Sequence, residues 1–259
     1  MKKVVCCFLL YLLYSATQDI RGQTVPVSPS PLVTVTAATP DKLPGLDPDI
    51  VGQFHPNTFL LTNESNRNII GLMIRWTYTS AQGLASTNSV STDSLDRANA
   101  ALLAPNATLI VAPNAFLPVA YATLPHTGPM LADLNSQGDP AMVGATNIQA
   151  SIDLIIWQDG EIVGPNQTNF DEELHNRKLA AAALASQVRS TIANGGDPKV
   201  LVQQIAAIKP QKHDTFAYHT HIFARLVLNA PDVTTIVQWL EALPEPPKFF
   251  RKGEAQCST

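Results

Sequence analysis

The chain has 259 residues, 45% of them hydrophobic and 15% charged, with 17 basic against 21 acidic side chains. That length suits one large domain or two small ones. A charged fraction below the roughly 25% usual for soluble proteins, together with 20 prolines, points to a β-rich extracytoplasmic chain. A formal charge of −4 offers no basic surface to neutralise a phosphate backbone, which excludes nucleic acid from the expected partners.

At the start of the chain, Lys2 and Lys3 precede an apolar run from Val4 to Tyr14, the n-region and h-region pattern of a secretory signal peptide. About 11 apolar residues rise about 16 Å as a helix, roughly half a bilayer's hydrocarbon core, so the run reads as an address rather than a span. Cleavage after Thr17 would leave Ser15 and Thr17 at the −3 and −1 sites and remove Cys6 and Cys7. Cys257 would then be the one remaining cysteine, and stability would have to come from a hydrophobic core.

Between Gln23 and Pro48, prolines at 26, 29, 31, 40, 44 and 48 predict an extended arm, with an edge strand through Leu32 to Thr36 as the alternative. Antiparallel β structure is expected next. Phe59 to Asn63 leads through turn-forming residues to Ile69–Tyr78, where strict alternation places Ile70, Leu72, Ile74, Trp76 and Tyr78 on one face. Thr108 to Ala112 and Phe116 to Ala122 are further strands, the latter an edge because Pro118 cannot donate to a ladder. Ser80 to Asn106 and Pro125 to Asn147 lack clear periodicity and read as long loops, with a short helix conceivable from Asp93 to Leu103. Ile152 to Trp157, Asp159-Gly160 and Glu161 to Val163 form the strongest local signal, a β-hairpin.

Past Pro165 the pattern becomes helical. Asn169 is positioned to cap a helix with Asp171, Glu172 and Glu173 in its first turn, and Gly195-Gly196 supplies the stop. Asp197-Pro198 opens a second helix that ends before Pro210. A third is expected from about Thr215 to Leu228 and a fourth from Asp232 to Leu243.

The chain contains no G-x-S-x-G elbow, H-E-x-x-H, Walker loop or dinucleotide-binding G-x-G-x-x-G. His213, His219 and His221 cluster, but in a helix an i, i+2 pair diverges, and zinc needs three or four convergent ligands, so no metal site is expected. Asp171, Glu172 and Glu173 are explained by the helix dipole. Asp153 and Asp159 flank the hairpin, and Asp47-Pro-Asp49 lacks the rest of a calcium loop. A Ser, His, Asp set drawn from Ser94, Asp96, His126 and Asp139 would have to converge from the two long loops. Cys257 has no neighbour to lower its pKa. Trp76 and Trp157 read as core aromatics. The sequons Asn63-Glu-Ser65, Asn106-Ala-Thr108 and Asn166-Gln-Thr168 would matter only in a eukaryotic secretory pathway.

Phe59 to Tyr78, with its Asn63-Glu-Ser65 turn and Ile69-Ile-Gly-Leu-Met-Ile-Arg-Trp strand, resembles a strand pair of an immunoglobulin-like bacterial extracytoplasmic domain. With the later hairpin Asp159 to Gly164, it is also similar to poorly characterised bacterial secreted proteins. The resemblance implies an architecture and transfers no functional residue, since the immunoglobulin Cys, Trp, Cys signature is absent.

These readings combine into an α+β protein, an antiparallel β-sandwich-like body followed by a C-terminal helical segment. The expected division is a signal peptide at 1–17, a Pro-rich arm at 18–49, the sandwich-like domain at 50–165, helices packed on it at 166–243 and a flexible tail at 244–259. The expected function is a secreted or periplasmic non-enzymatic binding module for a protein or glycan, with no cofactor and no membrane span after processing. The competing expectation is an extracytoplasmic hydrolase with a site built from the long loops and histidines.

Overall fold

The computed structural model describes residues 25–95, 101–113, 115–122, 134, 145, 147–211 and 213–252. It is a mixed α+β fold with two four-stranded antiparallel sheets and a helical layer after them. The first sheet has the order β1-β2-β5-β6, formed by β1 (Val33–Ala37), β2 (Phe59–Asn63), β5 (Thr108–Ala112) and β6 (Ala115–Pro118). In the second the order is β4-β3-β7-β8, from β3 (Ile69–Thr79), β4 (Ala85–Asp93), β7 (Asn147–Trp157) and β8 (Ile162–Val163).

Side chains alternate across a strand, so each sheet buries one set of residues inside and another outside. Phe59, Leu61, Leu109 and Val111 of the first sheet meet Leu72, Ile74, Trp76, Ile155 and Trp157 of the second in one core, with the Phe59 and Trp76 rings 6.0 Å apart. Each such burial contributes roughly 1.5–3 kcal/mol, which makes this inter-sheet layer the main source of stability for the sandwich-like body. The other face of the first sheet, Leu60, Ile110 and Ala112, is covered by Leu43, Val51, Phe54 and Leu134, partly from the short helix α1 (Pro48–Gly52).

Several sequence expectations are modified by local backbone chemistry. Ile69 pairs with Trp157 but Gly71 with Ile156, so Ile70 is an extra residue that breaks the strict alternation of β3. Ile69 therefore joins the inter-sheet core and Ile70 faces the opposite way. Ser80 to Asn106 is not a continuous loop: a turn closed by Ser80 N–H on Leu84 C=O at 2.9 Å returns the chain as β4. The edge strand after Phe116 ends at Pro118, and Val119–Ala122 turns into the short helix α2. Part of the expected Asp93 to Leu103 helix lies outside the described residues, and Asp93 itself ends β4. Within the stretch read as an extended arm, Val33 to Ala37 pairs residue for residue with β2. At the other end, the segment read as a tail bonds the hairpin: Ile162 N–H reaches Phe250 C=O at 2.9 Å and Phe250 N–H reaches Gly160 C=O at 3.1 Å.

Four helices build the C-terminal layer: α3 (Phe170–Ala193), α4 (Pro198–Ala207), α5 (Thr215–Asn229) and α6 (Val233–Ala242). The first turn of α3 docks on the outer face of the second sheet, where Phe170 and Leu174 join Ile70, Met73, Leu154 and Ile156. Further along, Leu184 and Val188 of α3 form a separate core with Val202, Phe223, Val227 and Leu240. Asp197, the cap expected from the sequence, and likewise Asp214 and Asp232 cap α4, α5 and α6 through their carboxylates. The cap of α3 differs: Asn169 is left-handed and makes no side-chain cap, whereas Asn166 Oδ1 accepts the Phe170 N–H at 3.0 Å. Asn166 also donates from Nδ2 to Asp171 Oδ1 at 2.6 Å, so it bridges the loop and the first turn. No helix among the described residues is long and apolar enough to cross a membrane.

Candidate functional site

The helices α3 and α5 pack together through Leu184, Val188, Phe223 and Val227, and their N-terminal ends meet where the chain enters α5. Asp214 fixes that entry, because its Oδ1 accepts the Ala217 N–H at 2.8 Å. Beside it, Asn176 Nδ2 donates to Thr215 Oγ1 at 2.7 Å and ties the two helices together. Glu172, Asn176, Gln211, His213, Asp214 and Thr215 then line an open cleft of about 520 Å³. All six can exchange hydrogen bonds with a ligand, and none is a large apolar residue. Phe216 and Tyr218, next along the chain, are 39% and 50% exposed.

The histidine cluster separates in the way helical geometry requires. His213 lines the cleft. His219 is buried between the rings of Tyr218 and Phe223, with Nε2 3.5 Å from Glu173 Oε1, an ion pair only when the imidazole is charged. His221 points elsewhere, its Nδ1 3.0 Å from the Ile208 carbonyl. Among the described residues, no group of three or more His, Cys, Asp or Glu could hold a metal ion.

The acidic triplet likewise divides its roles. Asp171 holds Asn166, Glu172 reaches the cleft and Glu173 faces His219. Asp159 binds Arg67 through Oδ2 at 2.9 Å and accepts the Glu161 N–H, while Asp47 caps α1. Ser94 is buried with its N–H on the Ile70 carbonyl. Asp96, His126, Asp139 and Cys257, along with the signal-peptide residues, lie outside the described residues. Trp76 and Trp157 are core side chains, and the Arg67 guanidinium sits 4.4 Å above the Trp157 ring. That guanidinium is partly desolvated, which would lower its pKa, but its bonds to Glu161 and Asp159 outweigh this and raise it.

Two residues carry more of the structure than their sequence context indicates. Asp153 is 1% exposed, and its carboxylate accepts the Gln167 N–H, the Thr168 N–H and the Thr168 hydroxyl at 2.7–3.0 Å. Asn63 is fully buried, and its amide donates to the carbonyls of Arg67, Leu103 and Ala104. As a sequon its nitrogen is therefore engaged inside the fold, and Asn166 is likewise occupied by its cap. No family model, curated protein or solved structure matches the chain.

Proposed function

We propose that the chain is a secreted or periplasmic non-enzymatic binding module, and that the cleft between α3 and α5 takes a neutral, hydroxyl-rich ligand of the carbohydrate class. The observation that carries this reading is the lining itself, six hydrogen-bonding side chains among the described residues around an open volume. Polyols are held by many paired donor and acceptor contacts, which these side chains supply. The apolar run at Val4 to Tyr14 supports the extracytoplasmic half of the proposal.

The test is a panel of neutral oligosaccharides titrated into the mature chain and followed by amide NMR. Shifts should concentrate at Glu172, Asn176 and Gln211 to Thr215, and the double variant Asn176→Ala, His213→Ala should abolish them. Absence of binding, or binding indifferent to that variant, overturns the carbohydrate reading. Conversion of a bound oligosaccharide to shorter products would replace it with the hydrolase reading, with Glu172 and His213 as the first groups to substitute. Mass spectrometry of the exported chain should find an N-terminus near residue 18, and Met1 there would overturn the localisation.

A further inference from the structure

The four sheet edges of this fold are not alike. On the first sheet β6 is four residues long and carries Pro118, and β1 is five residues long. At one end of the second sheet, β8 has two residues and is overlaid by Phe250. The other end is β4, nine residues of Ala-Ser-Thr-Asn-Ser-Val-Ser-Thr-Asp in unbroken register with β3. Proteins blunt such edges with Lys, Pro, a bulge or short length, and β4 has none of these.

Its free hydrogen-bonding groups can be assigned from the register. Ser80 N–H bonds Leu84 C=O at the turn, and Ser94 N–H bonds Ile70 C=O at the far end, both at 2.9 Å. In an antiparallel ladder every second pair exchanges bonds, so Ser86, Asn88, Val90 and Thr92 bond inward to β3. Ala85, Thr87, Ser89, Ser91 and Asp93 therefore direct N–H and C=O outward, and the first four are exposed. Among the described residues no backbone bond to these outward groups is present.

We propose that β4 pairs antiparallel with β4 of a second copy about a two-fold axis at Ser89, joining two second sheets into one eight-stranded sheet. The strand is self-complementary about that axis. Ser89 faces Ser89 of the second copy, Thr87 faces Ser91, and Ala85 faces Asp93, so each outward donor meets an outward acceptor. Cross-strand Ser and Thr pairs stabilise such ladders, and like charges do not face each other. Asp93, the one charged residue, is held on its own chain by both terminal nitrogens of Arg177 at 2.7 and 2.9 Å and faces only an alanine. An isologous contact of this kind closes at a dimer. A nine-residue strand is about 30 Å long, and the narrow strip it buries is smaller than a standard interface, so association should be concentration-dependent.

Sedimentation velocity of the mature chain from about 5 to about 500 µM should show a monomer–dimer equilibrium, since mass action populates the dimer only at the upper end. Amide exchange at Thr87, Ser89 and Ser91 should slow as the dimer forms, while Ser86 and Asn88 should be protected throughout. Ser89→Pro removes an outward N–H and leaves the bonds to β3 intact, so it should weaken association by at least about tenfold through two lost interchain bonds. Ser89→Lys should do the same by placing like charges across the axis. A monomer across the whole range overturns the proposal, as does a dimer unaffected by both variants. Slow exchange at Thr87, Ser89 and Ser91 in the dilute monomer would also overturn it, because another segment of the same chain would then cover the edge.

Discussion

Replacing Asp153 with alanine tests how the sandwich-like body is joined to the helical layer. Asp153 is the extra residue of β7: Met73 pairs with Leu154 and Ile74 with Ile152, so its backbone leaves the ladder. Its carbonyl accepts the Asn166 N–H at 2.9 Å, and its carboxylate accepts three donors from Gln167 and Thr168. These contacts fix the loop that delivers Asn166 to cap α3 and Phe170 to the outer face of the second sheet. Hydrogen bonds to a charged acceptor contribute about 1.5–3 kcal/mol each, and the three together would exceed 4 kcal/mol. The variant also relieves the cost of burying a carboxylate that bonds no cation among the described residues, and water can reach the partly buried donors, which brings the expected loss to about 3 kcal/mol. Urea unfolding followed by tryptophan fluorescence would measure it, with far-UV circular dichroism reporting α3 separately. Asp153→Asn should recover only part of the loss, since its amide group sets two hydrogens among donors. A change below about 1 kcal/mol for Asp153→Ala would refute the reasoning, because it would mean that the loop holds its shape without the carboxylate.

The remaining predictions concern positions where the backbone or a proton is constrained. Gly160 has φ +90°, and a Cβ there would lie 2.3 Å from the Lys248 carbonyl oxygen, so Gly160→Ala should cost at least about 3 kcal/mol and expose residues after Lys248 to limited trypsin digestion. Asn166 combines a left-handed φ of 52° with the cap of α3. Asn166→Gly should therefore lose about 1 kcal/mol and Asn166→Ala about 2 kcal/mol in urea melts, and equal losses would show that the left-handed backbone costs nothing. Burial holds the His55 imidazole below its ordinary value, and its Nδ1 accepts the Asn57 N–H at 3.1 Å. The folded chain thus binds this proton less readily than the unfolded chain, so the contribution of His55 is complete above about pH 6.5 and declines as pH falls through the folded value. His55→Gln should flatten the stability profile in that acid window, and an unchanged slope would remove His55 as its source.

What the sequence discloses here is whatever depends on short range. The helices α4, α5 and α6 announce themselves by Asp197, Asp214 and Asp232, each placed to accept a backbone N–H two or three residues on, and the hairpin by Asp159-Gly160, of which only Gly160 needs positive φ. The bulges carried a weaker trace. A single Asp inside Ile152-Asp-Leu-Ile-Ile-Trp157 can be buried on neither apolar face without donors, so it marks the place where alternation has to slip. Strand β4 left almost none, because an edge strand with one face exposed and the other only half-buried shows little apolar period, and Val90 is its only large apolar residue. The cleft was legible only in pieces. His213 and Glu172 stood out as chemical types, but Asn176 and Thr215 are 39 positions apart and meet because α3 and α5 cross. That crossing is set by Leu184, Val188, Phe223 and Val227, residues whose periodicity identifies two helices without fixing which polar ends they bring together. The same packing that separates His213, His219 and His221 onto three surroundings also gathers Glu172, Asn176 and His213 around one opening, so the cleft's lining is set by helix contact and not by neighbours in the chain.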